Sequence, residues 1–402
     1  TDPGSWIYDF DNTEDYTLSM WINMSNQEAG SFILYKGASG AGVSGYSLDI
    51  TNNGYAECRY TDGNGSGLDS PTDNTSIIDS KWHYISCVMD RDGSQFGTAG
   101  LHVIVDGVLK ASDTSLTEGD GSAIDRDILI GEHALTNEWD GKFDQVRIYN
   151  YARTPAQIAW DYNRGGPVAY WAFDECTGST AYDTSLKSDR NSTRHNGTIN
   201  AQSLDNTTTG TCSSGTATEM WNDGTTGKRN ASIGLDGDDV YVQISDTANL
   251  RFDSGTQDFS IFAWVKRNVS SATHYLISKE DADNDGYRLQ FDSGNTVTCS
   301  VDTIDIISTS TITDTSWHFV GCVIDRDGNG QIYIDSKPDG STVAISSEAM
   351  ATTANIRLGT RAYTSTSYLD GQIDEVKIFN YALTAQQIRD IYNEGAVHFG
   401  PN

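Results

Sequence analysis

The sequence is short of positive charge and of long apolar runs. Against 56 Asp and Glu it carries 26 Lys and Arg, a formal net charge of −30. That balance excludes nucleic acid and anionic lipid surfaces as partners, because the whole chain repels them on approach. It favours a solvated surface and divalent cations. No apolar run approaches the ~18 residues of a membrane-spanning helix, so no membrane insertion is expected. Thr1 opens no signal peptide, which implies either that one has been removed or that the sequence is a fragment. Marks of catalysis are missing too: there is no nucleophile elbow, phosphate loop or thiolate zinc site. The seven histidines do not cluster. His83 and His318 recur beside tryptophans at strand positions and read as satisfied core or interface histidines.

What is present repeats. Residues 140–165 read DGKFDQVRIYNYARTPAQIAWDYNRG, and residues 370–395 read DGQIDEVKIFNYALTAQQIRDIYNEG, about half identical without a gap. In each copy an Asp-Gly turn leads into a strand-like alternation, with Phe143, Gln145, Arg147 and Tyr149 on one face in the first. A short helix follows. Thr154 and Thr384 stand at its N-cap, Gln157 and Gln387 complete capping boxes, and Pro155 takes the first helical position. Gly165 and Gly395 stop the helices. One strand and one short helix cannot bury an apolar face, so each copy closes a larger sheet domain. The 39 glycines supply the turns of an all-β chain, and 402 residues with 10% aromatics suffice for two cores.

The repeated ending resembles the C-terminal signature of laminin G-like domains in the concanavalin A-like lectin/glucanase superfamily. The resemblance extends upstream through Val168-Ala-Tyr-Trp-Ala-Phe-Asp-Glu175, Leu235-Asp-Gly-Asp-Asp-Val-Tyr-Val242 and Phe259-Ser-Ile-Phe-Ala-Trp-Val265, and in the first domain from Tyr16-Thr-Leu-Ser-Met-Trp-Ile22. It implies an all-β chain of two tandem jelly-roll β-sandwiches of antiparallel sheets, each with a short C-terminal helix. The boundaries fall at 1–166 and 167–402.

Six cysteines fit this plan. Cys87 and Cys322 occupy equivalent places after Trp82-His and Trp317-His, and Cys58 and Cys299 lie one strand earlier. Cys176 and Cys212 bracket the polar stretch between the first strands of the second domain. Three local disulfides joining neighbouring strands are the simplest pairing, with buried free thiols as the alternative. Disulfides imply an oxidising compartment, so the protein is expected to be secreted or at the cell surface. Eight Asn-x-Ser/Thr sites add little in so Ser/Thr-rich a chain.

The two domains are unequal. The second spends residues 168–257 before Asp258-Phe-Ser-Ile-Phe-Ala-Trp264, whereas the first has only Thr1–Glu14 before Asp15-Tyr-Thr-Leu-Ser-Met-Trp21. The first domain therefore lacks its first strands and is expected to expose an unpaired edge. Either the chain is a piece of a longer polypeptide, or a neighbouring copy adds the missing strands and generates an open array. Val397 to Phe399, which parallel the stretch where the second domain begins, are the candidate donor.

Candidate ligand sites are few. Asp281, Asp283 and Asp285, with Gly286 and Asp292, have the spacing of an oxygen-lined calcium loop, although the flanks read as strands. The resemblance implies a second calcium position at one rim of the sandwich, where Asp236, Asp238 and Asp239 would meet Asp374. Asp90-Arg-Asp-Gly and Asp325-Arg-Asp-Gly-Asn-Gly look metal-like but read as ordinary hairpin turns. Glucanases of the superfamily need paired carboxylates ~5 Å apart on one strand. Glu138-Trp-Asp140 and Asp374-Glu375 do not continue that pattern, so catalysis is not expected. Trp139, Tyr363 and Tyr368, together with Trp6 and Trp221, are loop-like aromatics able to stack on a sugar. Trp21, Trp82, Trp171, Trp264 and Trp317 lie in strand patterns and belong inside.

The function expected is a non-catalytic structural or adhesive component of a cell-surface or filamentous assembly, polymerising by strand complementation. Its partners would be other copies of itself or adjoining domains. The other reading is the glycan-binding region of a larger polysaccharide-degrading enzyme.

Overall fold

The computed structural model describes residues 8–25, 31–37, 44–62, 67–71, 75–116, 127–131, 141–185, 194–202, 206–213, 218–222, 227–252, 257–268, 271–326, 328–345, 350 and 352–393. The chain divides into two compact units, Thr1–Gly165 and Gly166–Asn402.

The leading unit contains β1 (Tyr16–Asn23), β2 (Ser31–Gly37), β3 (Ser44–Ile50), β4 (Ala56–Asp62), β5 (Gly67–Pro71), β6 (Trp82–Asp90), β7 (Gly100–Val105), β8 (Val108–Asp113), β9 (Leu129–Ile130), β10 (Lys142–Tyr149) and α1 (Pro155–Asn163). Its two antiparallel sheets have the orders β10-β1-β6-β7-β8 and β5-β4-β3-β2-β9. Leu18, Met20 and Ile22 of β1 face Leu48, Tyr60 and Cys58 of the other sheet in one buried core. Trp21 points the opposite way and packs at a tilt against Tyr84 and Tyr162, so α1 seals the outer face of that sheet. Both expected capping boxes form, at Thr154 with Gln157 and at Thr384 with Gln387.

The trailing unit repeats this plan and adds to it. Its first strands are β11 (Ala169–Trp171), β12 (Thr180–Ala181), β13 (Gly197–Asn200), β14 (Trp221–Asn222), β15 (Ser232–Asp236) and β16 (Tyr241–Ile244). The repeated set follows as β17 (Phe259–Arg267), β18 (His274–Glu280), β19 (Gly286–Phe291), β20 (Thr296–Val301), β21 (Ile304–Thr311), β22 (His318–Ile324), β23 (Asn329–Ile334), β24 (Lys337–Ala344), β25 (Ile356–Leu358), β26 (Asp370–Phe379) and α2 (Ala385–Tyr392). One sheet runs β14-β15-β26-β17-β22-β23-β24 with β11 also on β26, and the other runs β12-β13-β16-β25-β18-β19-β20-β21. The jelly-roll sandwiches read from the sequence are thus present in both units.

All six cysteines are paired, Cys58 with Cys87, Cys176 with Cys212 and Cys299 with Cys322. The expectation of neighbouring strands needs correction for two of them. Cys58 on β4 and Cys87 on β6 belong to different sheets, as do Cys299 on β20 and Cys322 on β22. Each bond therefore ties the sandwich through its core. Closing loops of 29 and 23 residues stabilises each unit by about 3 kcal/mol in the chain-entropy picture.

The added strands of the trailing unit are anchored by buried polar contacts as well as by packing. Asp183, almost fully buried, accepts from the amides of Tyr170, Ser185 and His195 and pairs with His195 Nδ1 at 2.9 Å. Burial alone would raise its pKa, but these hydrogen bonds, led by His195, hold it down at about 2. Trp171 donates its Nε1–H to the His195 carbonyl, and Trp221 donates to the Gly178 carbonyl. Trp221, expected as a loop aromatic, is accordingly a core residue.

Candidate functional site: the open edge of the leading unit

The two units differ most at one sheet edge. In the trailing unit β26 is flanked on its outer side twice: β15 pairs Ile233 with Ile373, and β11 pairs Trp171 with Val376. Its counterpart β10 pairs with β1, and among the described residues no strand lies on its other side. The second sheet tells the same story, because β25 carries β16 on its outer side while the corresponding β9 ends its sheet. Equivalent side chains report the consequence. Phe143 pairs with Ile22 and is 44% exposed, whereas Ile373 pairs with Val265 and is 0% exposed. Ile130 pairs with Leu34 and is 43% exposed, whereas Leu358 pairs with Ile277 and is 0% exposed. Covering the remaining two-fifths of such a side chain contributes about 1 kcal/mol, so among the described residues the edge is an apolar surface with no strand on its outer side.

A bulge sits in the middle of this edge in both units. The register with β1 shifts between Ser19 and Trp21, and Gln145 has φ +52°; β26 shifts opposite Phe262 and Trp264, and Glu375 has φ +52°. The bulge reverses the alternation, so Val146 and Ile148 of β10 lean on the core although Phe143 lies at odd spacing from them.

In the trailing unit the bulge lies in the gap between β11 and β15, and it holds a polar cluster. Asp374, fully buried, accepts from the Arg229 amide at 2.9 Å through Oδ2. Among the described residues, its Oδ1 receives no hydrogen bond. Burial pushes its pKa up to about 7, with Glu375 and Asp174 adding repulsion against the Arg229 amide. Glu375 accepts from Tyr170 Oη at 2.6 Å and pairs with Lys377 at 2.5 Å. At the equivalent place in β10, Asp144 is exposed and accepts from the neighbouring Gln145 amide.

The two sets of metal ligands expected from the sequence do not converge. Asp281 gives Oδ1 to the amides of Asp283 and Asp285 in the tight β18–β19 turn. Asp292 stands beyond the far end of β19 and caps the next turn through Gly294 and Thr296. At ~3.3 Å per strand residue that is about 20 Å away. Asp236 takes the amides of Asp238 and Asn206. Its cross-strand partner is Asp370, four residues along β26 from Asp374 and so about 13 Å from it. One group of three carboxylates among the described residues does converge: ligand oxygens of Asp15, Asp90 and Asp92 lie within 4.8 Å of one another.

Of the remaining candidates, Tyr363 and Tyr368 belong to the trailing unit. Tyr363 is exposed with the Arg361 guanidinium 4.6 Å over its ring, Arg361 being held by Glu280 and Asn284. Tyr368 is half-buried. Trp139, Trp6 and the stretch Val397–Phe399 lie outside the described residues. His83 and His318 are each satisfied by two carboxylates: His83 by Asp106 and Asp79, His318 by Asp335 and Asp314. Burial works to lower the His83 pKa, but both acids together raise it; at His318 the Asp335 hydrogen bond leads the rise.

The model of the Concanavalin A-like lectin/glucanases superfamily, a laminin G type, matches residues 7–159 and 236–389. The chain belongs to this superfamily. The first matched stretch ends within α1 and the second begins at the end of β15, so what the laminin G-type model leaves unmatched includes β11–β14 and most of β15. No curated protein matches the chain. Among solved structures, domain 4 of AbnA, a GH43 extracellular arabinanase from Geobacillus stearothermophilus in complex with arabinotriose, is 18% identical with a TM-score of 0.40, covering 56% of this chain and 98% of that one. The botulinum neurotoxin serotype G binding domain is 15% identical with a TM-score of 0.41, covering 57% of this chain and 51% of that one.

Proposed function

We propose that the protein is a non-catalytic, extracellular structural or adhesive component whose leading unit is completed by strands supplied by another copy. The observation that carries this reading is the pair of equivalent positions, Phe143 against Ile373 and Ile130 against Leu358, exposed in one unit and buried in the other. An open edge with apolar side chains recruits extended backbone, and main-chain hydrogen bonds give such contacts their affinity. A donor and an acceptor on different surfaces make a head-to-tail contact that does not close, hence an open array. Three disulfides fit the oxidising space outside the cell. Among the described residues no helix is long and apolar enough to cross a membrane.

Sedimentation velocity over a concentration series tests this. The intact chain should show concentration-dependent association, and charging the edge with Phe143→Lys and Ile130→Lys together should leave a monomer. A wild-type chain that stays monomeric throughout would contradict the proposal. The second reading, a glycan-binding region, rests on the exposed Tyr363 ring beside Arg361. A monomer that binds one polysaccharide and loses it on Tyr363→Ala would favour that reading instead.

A further inference from the structure

The turn after β6 was legible as a hairpin, and the structure shows it to be more. Because Tyr16 pairs with Met89, the start of β1 brings Asp15 beside Asp90 and Asp92. Each carboxylate gives an oxygen to backbone amides of the turn. Asp15 Oδ1 accepts from Arg91, Asp92 Oδ1 from Ser94, and Asp90 Oδ2 from both Gln95 and Phe96. The amides thereby fix all three side chains in place. Asp90 is 0% exposed, and its second oxygen, Oδ1, is buried and receives no hydrogen bond among the described residues. It is the oxygen left for the cluster. Arg91, the cation of the turn, places its guanidinium over the Tyr60 ring and donates to the Asp11 carbonyl.

A buried carboxylate oxygen without a donor, next to two further carboxylates, is costly, and a cation joining it relieves that cost. Asp90, Asp92 and Ser94 follow the first, third and fifth positions of an oxygen-lined loop, and Asp15 adds a ligand from outside it. All available donors are hard oxygens, and Asp92 is exposed, which leaves an entry path and room for water ligands. We propose that Asp15, Asp90 and Asp92 form a calcium-binding site that ties the β6–β7 turn to the start of β1. The trailing unit keeps half of the scaffold: Asp258 Oδ1 accepts from the Arg326 amide at 2.8 Å, as Asp15 does from Arg91 at 2.7 Å.

Calorimetric titration of the intact, chelator-treated chain with calcium chloride tests the site. Wild-type protein should bind with a dissociation constant on the order of 10⁻⁴–10⁻³ M, the range of extracellular modules. Asp92→Asn, an exposed and nearly isosteric change, should weaken one site by at least about tenfold. Asp15→Asn should do the same, with both variants keeping the wild-type circular dichroism. The readout is the difference from wild type, so binding elsewhere in the chain does not confuse it. Wild-type and variant titrations that coincide, or no heat at about 10 mM calcium, well above the expected range, would overturn the proposal.

Discussion

Truncating Ile373 to alanine is expected to destabilise the trailing unit by about 2–5 kcal/mol, the usual cost of emptying a closed aliphatic site. Phe143→Ala, at the equivalent place in the leading unit, should cost a monomer less, on the order of 1 kcal/mol, because its ring is only partly covered. The contrast follows from what lies outside each strand. Ile373 sits between Val265 on β17 and Ile233 on β15, whereas Phe143 has Ile22 on one side and, among the described residues, no strand on the other. Urea unfolding of the intact chain, with the two units followed separately, measures both. In associated protein the Phe143 variant should instead weaken assembly, because there the ring is covered.

The second large effect is a pH dependence centred on Asp374. Its folded pKa is raised to about 7 from an ordinary 3.8. Below about pH 4 both folded and unfolded forms hold the proton, and burial of the neutral acid costs little. As pH rises from 4 to 7 the unfolded chain releases the proton while the folded chain retains it, so stability falls across that window. The full gap corresponds to on the order of 4 kcal/mol. Asp374→Asn should remove this slope: variant and wild type should be similar near pH 4, and the variant more stable at pH 8. His318, whose raised pKa also makes stability fall with pH, is present in both proteins and cancels in the difference. Parallel profiles for the two proteins would show that Asp374 is ionised at low pH after all.

Local signals were readable in the sequence and long-range ones were not. The capping boxes at Thr154 and Thr384 depend on residues three apart, and the cysteine pairs on a spacing repeated in both units, so both stood out. The alternation of Phe143, Gln145 and Arg147 ran straight through a bulge, since nothing in a linear pattern marks where Gln145 adopts positive φ. The Asp281–Asp292 spacing suggested a calcium loop because spacing does not record that β19 stretches between its ends. Asp15 and Asp90 gave no joint signal, because only the β1–β6 ladder brings them together. The shorter lead-in of the first domain was visible as a difference in length, but the side chains that the described strands leave exposed, Phe143 and Ile130, required the sheet orders.

Amide hydrogen exchange along β10 and β26, compared in one sample at low and high protein concentration, tests the open edge most directly. In dilute protein the outward amides of Lys142–Tyr149 should exchange near the rate of local fraying, while those of Asp370–Phe379 stay protected at both concentrations. Raising the concentration should bring protection to β10. Full protection of β10 in dilute monomer would contradict the account, since it would mean that the leading unit already covers this strand by itself.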